Sequence, residues 1–108
     1  MVFNQKVRDK YILDPDLKRL SEFSTWEWLN LEGGKTFESN DSLESIRQIK
    51  EKVSDKDCII VCHGSPAINK DVIDKAPNLK LIGELEGDRF ANRIDLKAAW
   101  ESGIKTLD

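Results

Sequence analysis

The chain has 108 residues, 17 of them basic and 20 acidic, for a formal charge of −3 at pH 7. With 39% apolar and 34% charged residues it has the composition of a single packed domain spanning residues 1–108, not of a disordered segment. The acidic balance, without any basic block, argues against a nucleic-acid or membrane surface, and the longest apolar run, Cys58 to Cys62, is far short of the roughly twenty residues of a membrane span.

In chain order, Val2 to Gln5 is expected as the first strand, with Lys10 to Leu13 as the alternative. Asp14 followed by Pro15 reads as an N-cap with proline at the first helical position, opening a helix over Asp16 to Glu22. Phe23 to Leu29 places Trp26 and Trp28 on one face and Thr25 and Glu27 on the other, an alternation suited to a half-exposed edge strand. Ser42 to Val53 carries Leu43, Ile46, Ile49 and Val53 at helical spacing, with Asn40 or Asp41 as cap.

The second half is better punctuated. Cys58 to Cys62 is apolar on both faces, as a central parallel strand covered by helices requires, and His63-Gly64 stops it. Asn69 to Lys75 reads as a helix presenting Val72, Ile73 and Ala76, and Leu79 to Gly83 as a second central strand. Asp95 is placed to cap Leu96 to Ser102, with Ile94 stapling onto Ala99. Gly103 then stands where a left-handed residue is wanted, Ile104 follows as its apolar partner, and Lys105 to Leu107 forms a last short strand. These segments sum to an α/β three-layer sandwich, a flavodoxin-like parallel sheet of about five strands with about four helices.

The cysteines bound the redox compartment. At about 3.3 Å per strand residue, Cys58 and Cys62 sit ~13 Å apart, too far for a disulfide. Two unbridged thiols fit a reducing, cytoplasmic setting.

In an open parallel sheet, ligands bind beyond the carboxyl ends of the strands. Two loops are expected on that rim: His63-Gly64-Ser65-Pro66 and Glu84-Leu85-Glu86-Gly87-Asp88-Arg89. Gly64 and Gly87 let backbone N–H groups approach an anionic ligand closely. Against this, a histidine at a strand end is more often a satisfied surface residue than a catalyst. Cys62 reads as buried filler rather than a nucleophile. The charged loop reads equally as a solvated one. One histidine and two separated thiols fall short of the three or four ligands of a metal site, so no metal is expected. Gly-x-Gly-x-x-Gly and Gly-x-x-x-x-Gly-Lys-Ser/Thr are both absent, so no cofactor-binding residue is assigned within the chain.

The stretch from Asp57 through Leu107 resembles the amino-terminal part of the D-isomer-specific 2-hydroxyacid dehydrogenases, the phosphoglycerate dehydrogenase-like family. The residues that carry the resemblance are the Cys58 to Cys62 strand, Ser65-Pro66-Ala67-Ile68 and Ala76-Pro77-Asn78-Leu79-Lys80-Leu81-Ile82-Gly83. Asn92-Arg93-Ile94-Asp95-Leu96-Lys97-Ala98-Ala99 and Ser102-Gly103-Ile104 complete the series, in the family's order. The family's usual Gly-x-Gly before the first of these last two blocks is replaced by a longer segment with Gly87 alone, ringed by Glu84, Glu86, Asp88 and Arg89.

The resemblance implies an oxidoreductase that interconverts a 2-hydroxy acid and a 2-keto acid with NAD(H) or NADP(H). A flavodoxin-like substrate domain would face a separate nucleotide-binding domain. It implies His63, Gly64, Ser65, Glu86, Gly87 and Arg89 as substrate-side residues. The family's catalytic Arg, Glu and His, and its cofactor fingerprint, match nothing in these residues, so the chain is expected to be a truncated part that is inactive alone. The implied partners are the small acid and, compatibly, a second copy in a homodimer. The alternative is a stand-alone, non-catalytic α/β module that binds a partner protein or an anionic metabolite, with Trp26 and Trp28 at the interface.

Overall fold

The computed structural model describes residues 1–35, 37–87 and 92–108. Its elements, in order, are α1 (Gln5–Tyr11), α2 (Asp14–Ser21), α3 (Leu43–Lys52), β1 (Cys58–Val61), α4 (Lys70–Asp74), β2 (Leu81–Glu84), α5 (Leu96–Glu101) and β3 (Lys105–Leu107). The three strands form one parallel sheet in the order β1-β2-β3. Cys58 pairs with Leu81 and Val61 with Glu84 across the first ladder, and Leu81 pairs with Lys105 across the second.

The helix starts follow side-chain chemistry. Ser42, Asn69 and Asp95 each accept a hydrogen bond from the backbone N–H three residues on, relieving the unpaired donors of a helix start. The cap of α3 is thus Ser42 and neither Asn40 nor Asp41. In α2 the cap position falls on Leu13, one residue before the expected Asp14. The Asp16 carboxylate accepts from the Leu13 N–H at 3.0 Å, and Pro15 sits inside the first turn. At the end of α5, Gly103 has φ 75°. Its N–H donates to the Trp100 carbonyl at 3.0 Å and the Ile104 N–H to the Ala99 carbonyl at 2.9 Å, a Schellman closure as the glycine position predicted. A Cβ on Gly103 would meet nothing within 4 Å among the described residues, so Gly103→Ala is expected to cost only its left-handed backbone strain, about 1 kcal/mol by urea denaturation.

The first thirty residues depart from expectation. Of the strand expected over Val2 to Gln5, only a short stretch to Asn4 pairs beside β1; a fifth helix, α1, begins at Gln5, and Lys10 and Tyr11 end that helix rather than opening a strand. Asn4 is the reason: its side-chain oxygen accepts from the Val7 N–H at 3.0 Å and starts the helix directly after Phe3. Too little extended chain then remains to pair with Phe23 to Leu29, which is not a strand. Single parallel bridges are left instead, from Val2 to Leu29 on one side and to Val61 on the other. These bridges place both extended stretches beyond β1, in the spatial order Leu29, Val2, β1, β2, β3.

The two sheet faces are unequal. On one, Ile59, Val61 and Ile82 pack with Ile49 and Val53 from α3 and its end, Val72 and Ile73 from α4, and Ala99 from α5. On the other, Cys62 packs with Phe3 and Val7, bordered by half-buried Met1, Ile12, Trp28, Ile60 and Leu85. Trp28 donates its indole N–H to the Phe3 carbonyl at 2.9 Å, and the Arg8 guanidinium lies 4.7 Å from its ring centre. Among the described residues, no helix is long and apolar enough to cross a membrane.

Candidate functional site at the carboxyl rim of the sheet

β1 and β2 end side by side, which brings the two polar loops together. The loop after β1 is held on both flanks: the His63 carbonyl accepts from the Asn4 N–H at 2.8 Å, and the Ser65 carbonyl from the Asn40 N–H at 2.8 Å. Asn40 is itself buried. Its amide donates to the Glu32 carbonyl at 2.9 Å, to Ser45 Oγ at 2.8 Å and to the Gly64 carbonyl at 3.2 Å. Asn40→Ala strips three acceptors at once and is expected to lower unfolding stability by about 1–3 kcal/mol, read by urea titration.

The loop after β2 begins with a buried charge. Glu84, the last strand residue, is 4% exposed, and its Oε2 accepts from Arg93 Nη1 at 3.0 Å; the side chains of both are wholly buried. Arg93 is fixed by its backbone. Its carbonyl accepts from the Ile68 N–H at 2.7 Å, and the Ile68 carbonyl accepts from the Asp95 N–H at 3.1 Å, forming a bridge between Ile68 and Ile94. The same Nη1 also reaches Glu86 Oε2 at 3.4 Å, and Glu86 Oε1 lies 2.5 Å from His63 Nε2. A line of polar groups therefore runs from the buried Glu84–Arg93 pair through Glu86 to His63 at the surface.

Of the residues expected at the site, the structure brings His63, Glu86 and Gly87 to the rim. His63 and Glu86 are partly exposed and mutually bonded; Gly87 is exposed with φ 67°. Gly64 and Ser65 are buried. Ser65 donates its hydroxyl to the Pro66 carbonyl at 2.9 Å, and Gly64 sits where a Cβ would fall 2.1 Å from the Leu31 carbonyl oxygen. Both therefore shape the loop from within rather than presenting groups to a ligand. Arg89 and Asp88 lie outside the described residues. The solvated-loop reading fails for Glu84, which is buried against Arg93. The sequence signal for this pairing was a glutamate ending a central parallel strand, where a charge without a counter-charge would be too costly.

Cys62 lies beneath this network. It is fully buried, and that burial pushes its thiol from the ordinary value to about 11. Two consequences are measurable. Iodoacetamide at neutral pH is expected to label exposed Cys58 before Cys62. Between the ordinary thiol value of 9.0 and about 11, the folded state keeps the proton that the unfolded chain releases, so stability falls as pH rises through that window. Unfolding titrations from pH 8 to pH 11 are expected to show an alkaline slope shallower in Cys62→Ala than in the parent.

No protein-family model matches the chain, and no curated protein matches it either.

Proposed function

We propose that this chain forms the substrate-domain part of an NAD(P)-dependent oxidoreductase acting on a small 2-hydroxy or 2-keto acid, of the D-isomer-specific 2-hydroxyacid dehydrogenase type. The observation that carries the reading is the juxtaposition of the His63–Ser65 and Glu86–Gly87 loops beyond the carboxyl ends of two adjacent parallel strands. The spatial order Leu29, Val2, β1, β2, β3 supports it further, being second-first-third-fourth-fifth, the flavodoxin-like order.

In this reading His63, Glu86 and Gly87 form one wall of a cleft whose other wall is the nucleotide-binding half. His63 and Glu86 offer polar atoms toward the cleft, while Arg93 offsets the Glu86 charge so that an anionic acid can approach. Gly64 and Ser65 hold the wall in shape. The nicotinamide cofactor fits no group here, since the glycine fingerprint that would cradle its pyrophosphate is absent from the sequence. This chain therefore contributes a surface for the acid, with hydride transfer left to residues and cofactor elsewhere.

The test has two parts. Fluorescence titration of the 108-residue chain with NADH is expected to show no binding in the micromolar range; saturable micromolar binding overturns the reading. The coding sequence after Asp108 is expected to run into a Gly-x-Gly-x-x-Gly segment, and a stop codon there overturns it in favour of a stand-alone binding module.

A further inference from the structure

The sequence offers one histidine and two distant thiols, too few for a metal site, but the fold supplies a third ligand. Potential donor atoms of Cys62, His63 and Glu86 all lie within 4.8 Å of one another. Cys62 and His63 are neighbours at the point where β1 gives way to a turn. They therefore escape the strand rule that sends adjacent side chains to opposite faces. Glu86 arrives from the parallel neighbour. We propose that Cys62, His63 and Glu86 form a three-ligand site for a thiophilic divalent cation of the Zn2+ type.

Three features of the rim favour such an ion. The donor set of one sulfur, one imidazole nitrogen and one carboxylate oxygen is that of borderline-soft metals, not of Mg2+ or Ca2+, which prefer oxygen alone. The outer carboxylate oxygen of Glu86 is held by Arg93 at 3.4 Å, which leaves Oε1 turned toward His63 and fixes the ligand's orientation. Cys62 is buried while His63 and Glu86 are partly exposed, so an ion among them would be closed on the protein side and open to water or a small acid on the other.

Binding needs two local changes. The donors of a tetrahedral ion with bonds of about 2.0–2.3 Å lie roughly 3.3–3.7 Å apart, so Nε2 and Oε1 must separate from their present 2.5 Å as their hydrogen bond is exchanged for two metal bonds. The Cys62 thiol gives up its proton to solvent as the sulfur–metal bond forms. The site stands independently of the dehydrogenase reading, because its readout is the metal–sulfur bond and not turnover.

The experiment uses the 108-residue chain carrying Cys58→Ser, so that Cys62 is the sole thiol. Cobalt(II) is the probe. One equivalent is expected to produce a thiolate-to-cobalt charge-transfer band, and zinc(II) to abolish it stoichiometrically. Glu86→Gln and His63→Gln, both at partly exposed positions, are each expected to weaken the affinity roughly tenfold or more. Absence of the band in the folded Cys58→Ser chain, judged by circular dichroism, overturns the proposal. So does a band whose affinity is unchanged in both variants.

Discussion

Arg93→Met is expected to remove about 3–5 kcal/mol of unfolding stability, because it leaves the Glu84 carboxylate buried without its counter-charge. The side chains of both partners are wholly buried, so water cannot replace the guanidinium at Oε2. Native domains hold only about 5–15 kcal/mol in total, so the loss should be plain in a urea midpoint and approach global unfolding. The informative companion is the double variant Glu84→Gln/Arg93→Met. Removing the uncompensated charge relieves the larger penalty, so the second change is expected to restore part of what the first removed, the buried carboxamide N–H still costing about 1–3 kcal/mol. The carboxamide oxygen introduced by Glu84→Gln would still accept from the Glu86 N–H, as Glu84 Oε1 does at 3.3 Å. A single variant within about 1 kcal/mol of the parent, or a double variant no better than the single, would show that this pair does not anchor the rim.

The helices were legible where their signals are local. Asn69, Asp95 and Gly103 act through hydrogen bonds within one turn, so reading residues three or four apart suffices to find them. The core of β1 was legible from an unbroken apolar run, because two buried faces demand one. Phe23 to Leu29 misled because alternation records which face each side chain would take, not whether a partner strand is long enough. That partner is cut short by the Asn4 cap, one hydrogen bond outside the segment itself.

The site was legible as two loops on one rim but not as a network. Glu84 is marked only by its place at the end of a central strand; Glu86 and Arg93 look alike whether solvated or paired, and only the Ile68–Ile94 bridge turns Arg93 under the rim. The meeting of Cys62, His63 and Glu86 likewise depends on the parallel register of β1 against β2, a fact no local window contains.

Gly64→Ala is the second large effect, expected to cost roughly 3 kcal/mol or more through left-handed strain added to a backbone collision. Gly64 has φ 97°, and a Cβ there would lie 2.1 Å from the Leu31 carbonyl oxygen and 3.1 Å from the Asn4 nitrogen. Neither neighbour can give way cheaply. The Leu31 side chain is buried in the main core, and the Asn4 N–H is bonded to the His63 carbonyl. Gly87→Ala is the control, since it shares a positive φ of 67° but meets nothing within 4 Å among the described residues, and should cost only about 1 kcal/mol. The difference between the two variants isolates the close crossing of chains from backbone strain alone. Because Gly64 follows His63 directly, relief of the collision must move the loop that presents His63 to Glu86. A folded Gly64→Ala protein is therefore expected to show a displaced His63 ring resonance by NMR, which Gly87→Ala, with no clash beneath it, should show far less. Equal costs for the two substitutions, or an unmoved His63 resonance in Gly64→Ala, would mean that the crossing at Leu31 does not set the geometry of the rim.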